Sequence, residues 1–208
     1  NLKSDSKPIT LSSCVSFNKG DGFLVDSEHG TFKNVSIMTK GPALGHDFII
    51  DDVTLKQVAD SINSSENGKG VKSRLTHPHP GVFGGGIDPI EVTVGRATNA
   101  IVVGDKVLGT IKLGSYAKKT PRGNLWDYLT AIAEEDPEII GLSIQFHPGQ
   151  YEERKDENNL PTTPACRVDK VVGVDFVGNP AANPNGFLNA NIVSSERKEI
   201  YMNKELRK

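Results

Sequence analysis

The chain has 208 residues, with 24 Lys and Arg against 26 Asp and Glu, a formal net charge of −2. Near-neutrality gives no global electrostatic reason to expect a nucleic-acid or anionic-membrane partner. Hydrophobic residues at 36% together with 21 glycines argue against wholesale disorder, and no run reaches the ~18 apolar residues that a spanning helix needs. The length suits one domain with a sizeable core, or one with a trailing extension. Two cysteines, Cys14 and Cys166, make no disulfide framework and fit a reducing compartment. The N-terminal NLKSDSKPIT lacks both the apolar core of a secretory signal and an initiator methionine, as expected of a processed product or a fragment.

Taken in chain order, Ile9 to Phe17 is β-prone and a polar, Gly-containing turn follows from Asn18 to Gly22. Asn34 to Lys40 alternates, placing Val35, Ile37 and Thr39 on one strand face, and Phe48-Ile49-Ile50 is short and apolar. Asp52 and Thr54 are both eligible N-caps for a helix reaching about Asn63, with Leu55, Val58, Ala59 and Ile62 on its inner face. VKSRLTH, residues 71–77, reads as a strand that breaks into the Gly/Pro loop HPHPGVFGGGIDP. Glu91 to Val103 and Lys106 to Leu113 flank Gly104-Asp105 as a hairpin, with Gly95 read as a bulge.

A second helix is expected from Asn124 to just before Pro137, with Leu125, Leu129 and Ile132 inward. Ile139 to Phe146 is the next strand, residues 150–164 read as a charged, mobile loop, and Arg167 to Val177 is the last strong strand. Strands outnumber helices and most connections have hairpin length. The expected architecture is therefore α+β: a mainly antiparallel sheet or small barrel with two to three helices packed outside.

Four side chains could carry chemistry. In GLSIQF, Ser143 and Gln145 share the strand face opposite Leu142, Ile144 and Phe146. A serine on a strand is rigidly placed, but it needs a base to act as a nucleophile. His77 stands where strand gives way to loop, a position that presents side chains on a rigid scaffold, and its imidazole could take the serine proton. On RVDKVVGVDF the alternation puts Asp169, Val171, Gly173 and Asp175 on one face. An acid among apolar neighbours has a desolvation problem that an imidazole N–H would answer. The plainer alternative for Asp175 is an edge-strand charge, or a partner of Arg167 or Lys170. His77 and His79 invite a metal reading, but two ligands are too few and neither CxxC nor HExxH occurs, so no metal and no cofactor is expected. The loop HPGVFGGG lacks the phosphate-binding pattern, and Lys118, Lys119 and Arg122 form a basic cluster without interleaved aromatics.

The order of RLTHPHP, VGRATNAIVVGDKVLGTIKL, GLSIQF and VDKVVGVDFVGNPAANPNGF resembles the head-maturation (prohead) serine proteases of tailed bacteriophages, related in fold to herpesvirus assemblin. The resemblance spans about residues 35–190. Carried over by motif, it implies Ser143 as nucleophile and His77 as general base, 66 residues apart. One departure is the His77-Pro78-His79-Pro80 sequence where many phage members read His-Asp-Pro. The third member varies in this clan between histidine and an acid. Asp175 is the first choice, Asp169 the second and His46 a distant third, with Arg167 a loose candidate for assisting the oxyanion. The resemblance further implies a serine endopeptidase that cleaves phage scaffold and major capsid proteins, and itself, within the prohead in the host cytoplasm. A homodimer or higher oligomer is expected, with no nucleic-acid or membrane partner. Residues 1–192 would form the protease domain and 193–208 a polar helical tail leading to a scaffold segment or linker. The alternative is a non-enzymatic head component that keeps a protease-like fold for assembly.

Overall fold

The structure is a computed structural model that describes the backbone of residues 9–11 and 178, and residues 23–43, 46–76, 90–137 and 139–177 in full. The expected strand beyond residue 11, the turn at 18–22, His77 with the Gly/Pro loop, and the tail at 193–208 lie outside the described residues. In chain order the elements are β1 (Ile9–Leu11), β2 (Leu24–Asp26), β3 (Thr31–Thr39), β4 (Gly41–Pro42), β5 (Ile49–Ile50), α1 (Asp52–Ser64), β6 (Val71–Arg74), β7 (Thr93–Val103), β8 (Lys106–Leu113), α2 (Leu125–Glu135), β9 (Ile140–Lys155) and β10 (Pro161–Gly178). Short 3-10 turns occupy Ile90–Val92 and Ser115–Lys119.

The strands form one sheet in the order β1-β9-β10-β6-β7-β8-β3-β2, with the β4–β5 pair attached to β10. The fold is α+β as expected, but the sheet is mixed rather than mainly antiparallel. β5 pairs parallel to β10 at Ala165, and β6 does so at Gly173. Both lie along the same edge of β10, because β9 holds the other edge at these positions. The helix α1 carries the chain forward along that edge, so the strands before and after it run the same way. A helix-length connection permits this where a hairpin turn does not.

Between the two parallel bridges, α1 supplies side chains in place of a neighbouring strand. Thr54 Oγ1 donates to the Cys166 carbonyl at 2.8 Å, Val168 N–H donates to Gln57 Oε1 at 2.9 Å, and Val171 N–H donates to Ser61 Oγ at 2.8 Å. These backbone groups would otherwise be buried without partners. Leu55, Val58, Ala59 and Ile62 of α1 are buried as its periodicity predicted. Its N-cap is Asp51, one residue before Asp52 and three before Thr54, the two expected positions. Thr54 sits at N3 and completes a capping box, donating its N–H to Asp51 Oδ1 at 2.9 Å. In α2, Asn124, where the helix was expected to begin, is its N-cap and accepts from Asp127 N–H at 3.1 Å. Trp126 packs its ring over Gly30, where a Cβ would come within 2.5 Å, and donates from Nε1 to the Ser27 carbonyl at 3.1 Å.

The sheet curls strongly. β3 and β10 are four steps apart, about 19 Å in a flat sheet, yet Phe32 on β3 and Phe176 on β10 meet edge to face with centroids 5.6 Å apart. The half-barrel so formed encloses Ile37, Leu142, Ile144, Phe146 and Val174, all fully buried.

Three further expectations need correction. Residues 150–164 are not a loop but mostly a paired arm, in which β9 and β10 continue to the Lys155–Pro161 pair around a short turn. The arm is largely exposed on both faces, so its sequence carries no apolar alternation. On β3, Val35, Ser36, Ile37 and Met38 are all buried, because register shifts interrupt the simple alternation. On β10, shifts between Val168 and Lys170 and between Val171 and Gly173 break the expected four-residue face. Val171 pairs with Phe146, placing it with the apolar residues and not with Asp175.

Candidate active site

Ser143 and Asp175 are directly opposed in the β9–β10 ladder. Directly opposed residues of an antiparallel pair project to the same face, with Cβ atoms about 5 Å apart. The next pair on that face is Gln145 and Gly173. Ser143 and Asp175 are fully buried, and Gln145 nearly so. The sequence alternation of GLSIQF therefore sorts the faces correctly, with Leu142, Ile144 and Phe146 turned to the core. The polar face is also closed off from solvent.

A residue that the sequence reading passed over completes this face. Arg74, on β6, is buried to 1% exposure. Its Nε donates to Asp175 Oδ1 at 2.9 Å, and its backbone N–H donates to the same oxygen at 3.0 Å. Its Nη2 donates to Gln145 Oε1 at 3.1 Å. The side chain thus crosses over β10 and links β6 to β9. Gly173 makes the crossing feasible, since a Cβ there would stand 2.1 Å from Nη2. The available signal was an arginine inside an expected strand, only three residues before His77. The plainer alternative for Asp175 anticipated a cationic partner. The partner is Arg74 on the neighbouring strand, not Arg167 or Lys170, and β10 is an interior strand rather than an edge.

His77 lies outside the described residues. The strand that leads to it continues past β6 through a parallel bridge between Leu75 and Phe176, and Thr76 N–H donates to the Phe176 carbonyl at 2.7 Å. Thr76 takes a left-handed backbone, φ 74°, which turns the chain at this point. The chain is therefore tied to the residue after Asp175 one position before His77.

The other candidates are elsewhere. Asp169 is exposed in an irregular stretch of β10, six residues from Asp175 and so about 20 Å along the strand. Arg167 is further still and is occupied as a latch. Its Nη1 and Nη2 donate to Asp51 at 2.7 and 2.9 Å, and its Nε and Nη2 donate to Glu152 at 2.9 and 2.6 Å. Its bonds to Asp51 hold that carboxyl well below the usual carboxylate range, and the same bonds push the guanidinium pKa up. His46 is exposed beside Phe48, between β4 and β5. Among the described residues, no group of three or more His, Cys, Asp and Glu is placed to hold a metal ion, and no helix is long and apolar enough to cross a membrane.

No protein-family model matches the chain, and no curated protein matches it. Among solved structures, the fold is similar to the bacteriophage T4 capsid assembly protease gp21, with 15% sequence identity over 85% of this chain and 100% of that one, at a TM-score of 0.46. A likeness at this level identifies neither an activity nor a site residue.

Proposed function

We propose that the protein is a serine endopeptidase of phage head maturation, cleaving scaffold and capsid proteins, and itself, by acyl transfer. The observation that carries this reading is the cross-strand pairing of Ser143 with Asp175 in a buried polar row beside the strand that leads to His77. Two residues 32 positions apart in sequence thus share one rigid ladder, and rigid placement of this kind is what acyl transfer exploits. The order of the sequence motifs supports the phage setting.

In this mechanism Ser143 Oγ attacks the scissile carbonyl carbon while His77 takes its proton. The tetrahedral intermediate collapses as His77 returns that proton to the leaving amine. Water, deprotonated by His77, then releases the acyl group from Ser143. Asp175 orients His77. The working place is the interior of the prohead in the host cell, with scaffold and capsid proteins as partners and a homodimer or higher oligomer as the assembly.

The second reading, a non-enzymatic head component, is favoured by the complete burial of Ser143 and by the engagement of Asp175 with Arg74. Co-expression with the scaffold and capsid proteins separates the two, comparing wild type with Ser143→Ala by intact-mass spectrometry. Discrete truncated products that vanish in the variant are expected. Particles that assemble with neither protein cutting anything would favour the structural reading, and products that persist in the variant would remove Ser143 from the role of nucleophile.

A further inference from the structure

We propose that Arg74 is a positioning residue of the Ser143 site, fixing the carboxylate of Asp175 and the amide of Gln145 relative to the nucleophile. The inference rests on the serine peptidase reading and names a part of that site which the motifs do not contain.

Burying an arginine is unfavourable, and a purely structural ion pair is often replaceable by apolar residues at no loss of stability. The geometry here does more than neutralise charge. Two donors of one residue, the backbone N–H and Nε, converge on a single oxygen, Asp175 Oδ1, at 3.0 and 2.9 Å. That pair of bonds fixes the carboxylate's position and its rotation. The far end of the same planar group reaches Gln145 Oε1, two residues along β9 from Ser143. One guanidinium therefore ties the carboxylate on β10 to the amide on β9, on the face that carries the nucleophile. A lysine, with a point charge and no fork, cannot hold both partners in this fixed planar geometry.

Gly173 provides an independent observation. Its backbone is not in the left-handed region, so the register shift beside it does not by itself demand a glycine. What a side chain there would meet is Arg74 Nη2, at 2.1 Å from the Cβ position. The glycine is the seat of the guanidinium. Arg74 also lies three residues before His77 on the same stretch of chain. The stretch of sequence that carries the proposed base thus also carries the residue that holds its proposed partner.

The test uses the whole protein and a fluorophosphonate probe, from which Ser143 Oγ displaces fluoride to form an O–P bond. Intact-mass kinetics give the maximal labelling rate and the half-saturating probe concentration separately, and circular dichroism with urea titration reports the fold. Wild type is expected to label once, and Ser143→Ala not at all. Folded Arg74→Lys and Gly173→Ala are each expected to lose about 10- to 100-fold in maximal rate, with half-saturation within about twofold, because misplacement acts on the chemical step and not on probe binding. Gly173→Ala keeps the arginine and moves only its seat. Should either variant fail to fold, Gln145→Ala decides. It preserves the Arg74–Asp175 ion pair, removes the acceptor of Nη2, and is expected to slow the maximal rate about 3- to 10-fold. Unchanged rates in the folded variants overturn the positioning role while leaving the serine reading intact. A wild type that does not label, or a Ser143→Ala that still does, overturns the serine reading and this inference with it.

Discussion

Asp51 serves two functions whose contributions separate by choice of substitution. Its carboxylate caps α1 through Thr54 N–H and accepts two bonds from Arg167, in a pair that is 14% exposed on the arginine and 24% on the aspartate. An asparagine in its place would still cap, since Asn and Asp are comparable at an N-cap, whereas alanine would not. Asp51→Asn therefore keeps the cap but removes the charge and, with it, the oxygen that accepts from Arg167 Nη2. Arg167 keeps Glu152 as a partner, so no guanidinium is orphaned, and the loss is about 1–2 kcal/mol. Asp51→Ala adds the missing cap, about 1 kcal/mol, for a total of about 2–3 kcal/mol. With a urea slope of about 2 kcal/mol per molar, the midpoint falls by about 0.5–1 M for asparagine and about 1–1.5 M for alanine. The same pair of proteins carries a pH signature. The folded pKa of Asp51 is depressed from 3.8, chiefly by its bonds to Arg167. Its stabilisation is therefore fully present above the unfolded value and is lost as pH falls through the folded one. The gap between wild type and Asp51→Asn should be constant from neutral pH to about pH 5 and narrow steadily below it. Equal midpoints for the two variants, or a gap that stays constant to the acid limit of the titration, would refute the assignment of separate cap and charge contributions.

Gly95→Ala should be severely destabilising. A Cβ there would stand 2.2 Å from the Lys112 carbonyl oxygen, with β6 and β8 both paired to the same residue. Rigid backbone, not a mobile side chain, has to yield, so a loss near the upper end of the usual overpacking range, about 3 kcal/mol, is expected in urea titration. A loss under about 0.5 kcal/mol would show that the ladder yields there. Cys166 should be inert while the protein is folded, because burial pushes its thiol up to about 11. In a Cys14→Ser background at neutral pH, Ellman's reagent should report no thiol until denaturant is added. Stoichiometric reaction of the native protein would contradict that burial.

The sequence by itself determined the elements whose signals are local. Helix α1 was legible because Leu55, Val58, Ala59 and Ile62 repeat at helical spacing, and the β7–β8 hairpin because Gly104 and Asp105 supply its turn. The sorting of Leu142, Ile144 and Phe146 from Ser143 and Gln145 was legible for the same reason, since β9 keeps a regular ladder there and strand alternation is a two-residue rule. Where the rule is broken by a register shift, as at Val171 and Asp169, the sequence put residues on the wrong face, because a bulge is written in the partner strand as much as in its own. Gly95 was read as a bulge, and a register shift does lie beside it, between the Ser73–Gly95 and Arg74–Thr93 pairs; that it is also a point of close approach is set only by what lies across from it. The parallel course of β5 and β6 along β10 was equally hidden, since it depends on α1 lending side chains to a strand more than a hundred residues away. Arg74 belongs to that same class. In one dimension it is a charged residue in a strand. Tertiary structure alone set it over Gly173, between Asp175 and Gln145, where its burial has a partner at each end of the fork.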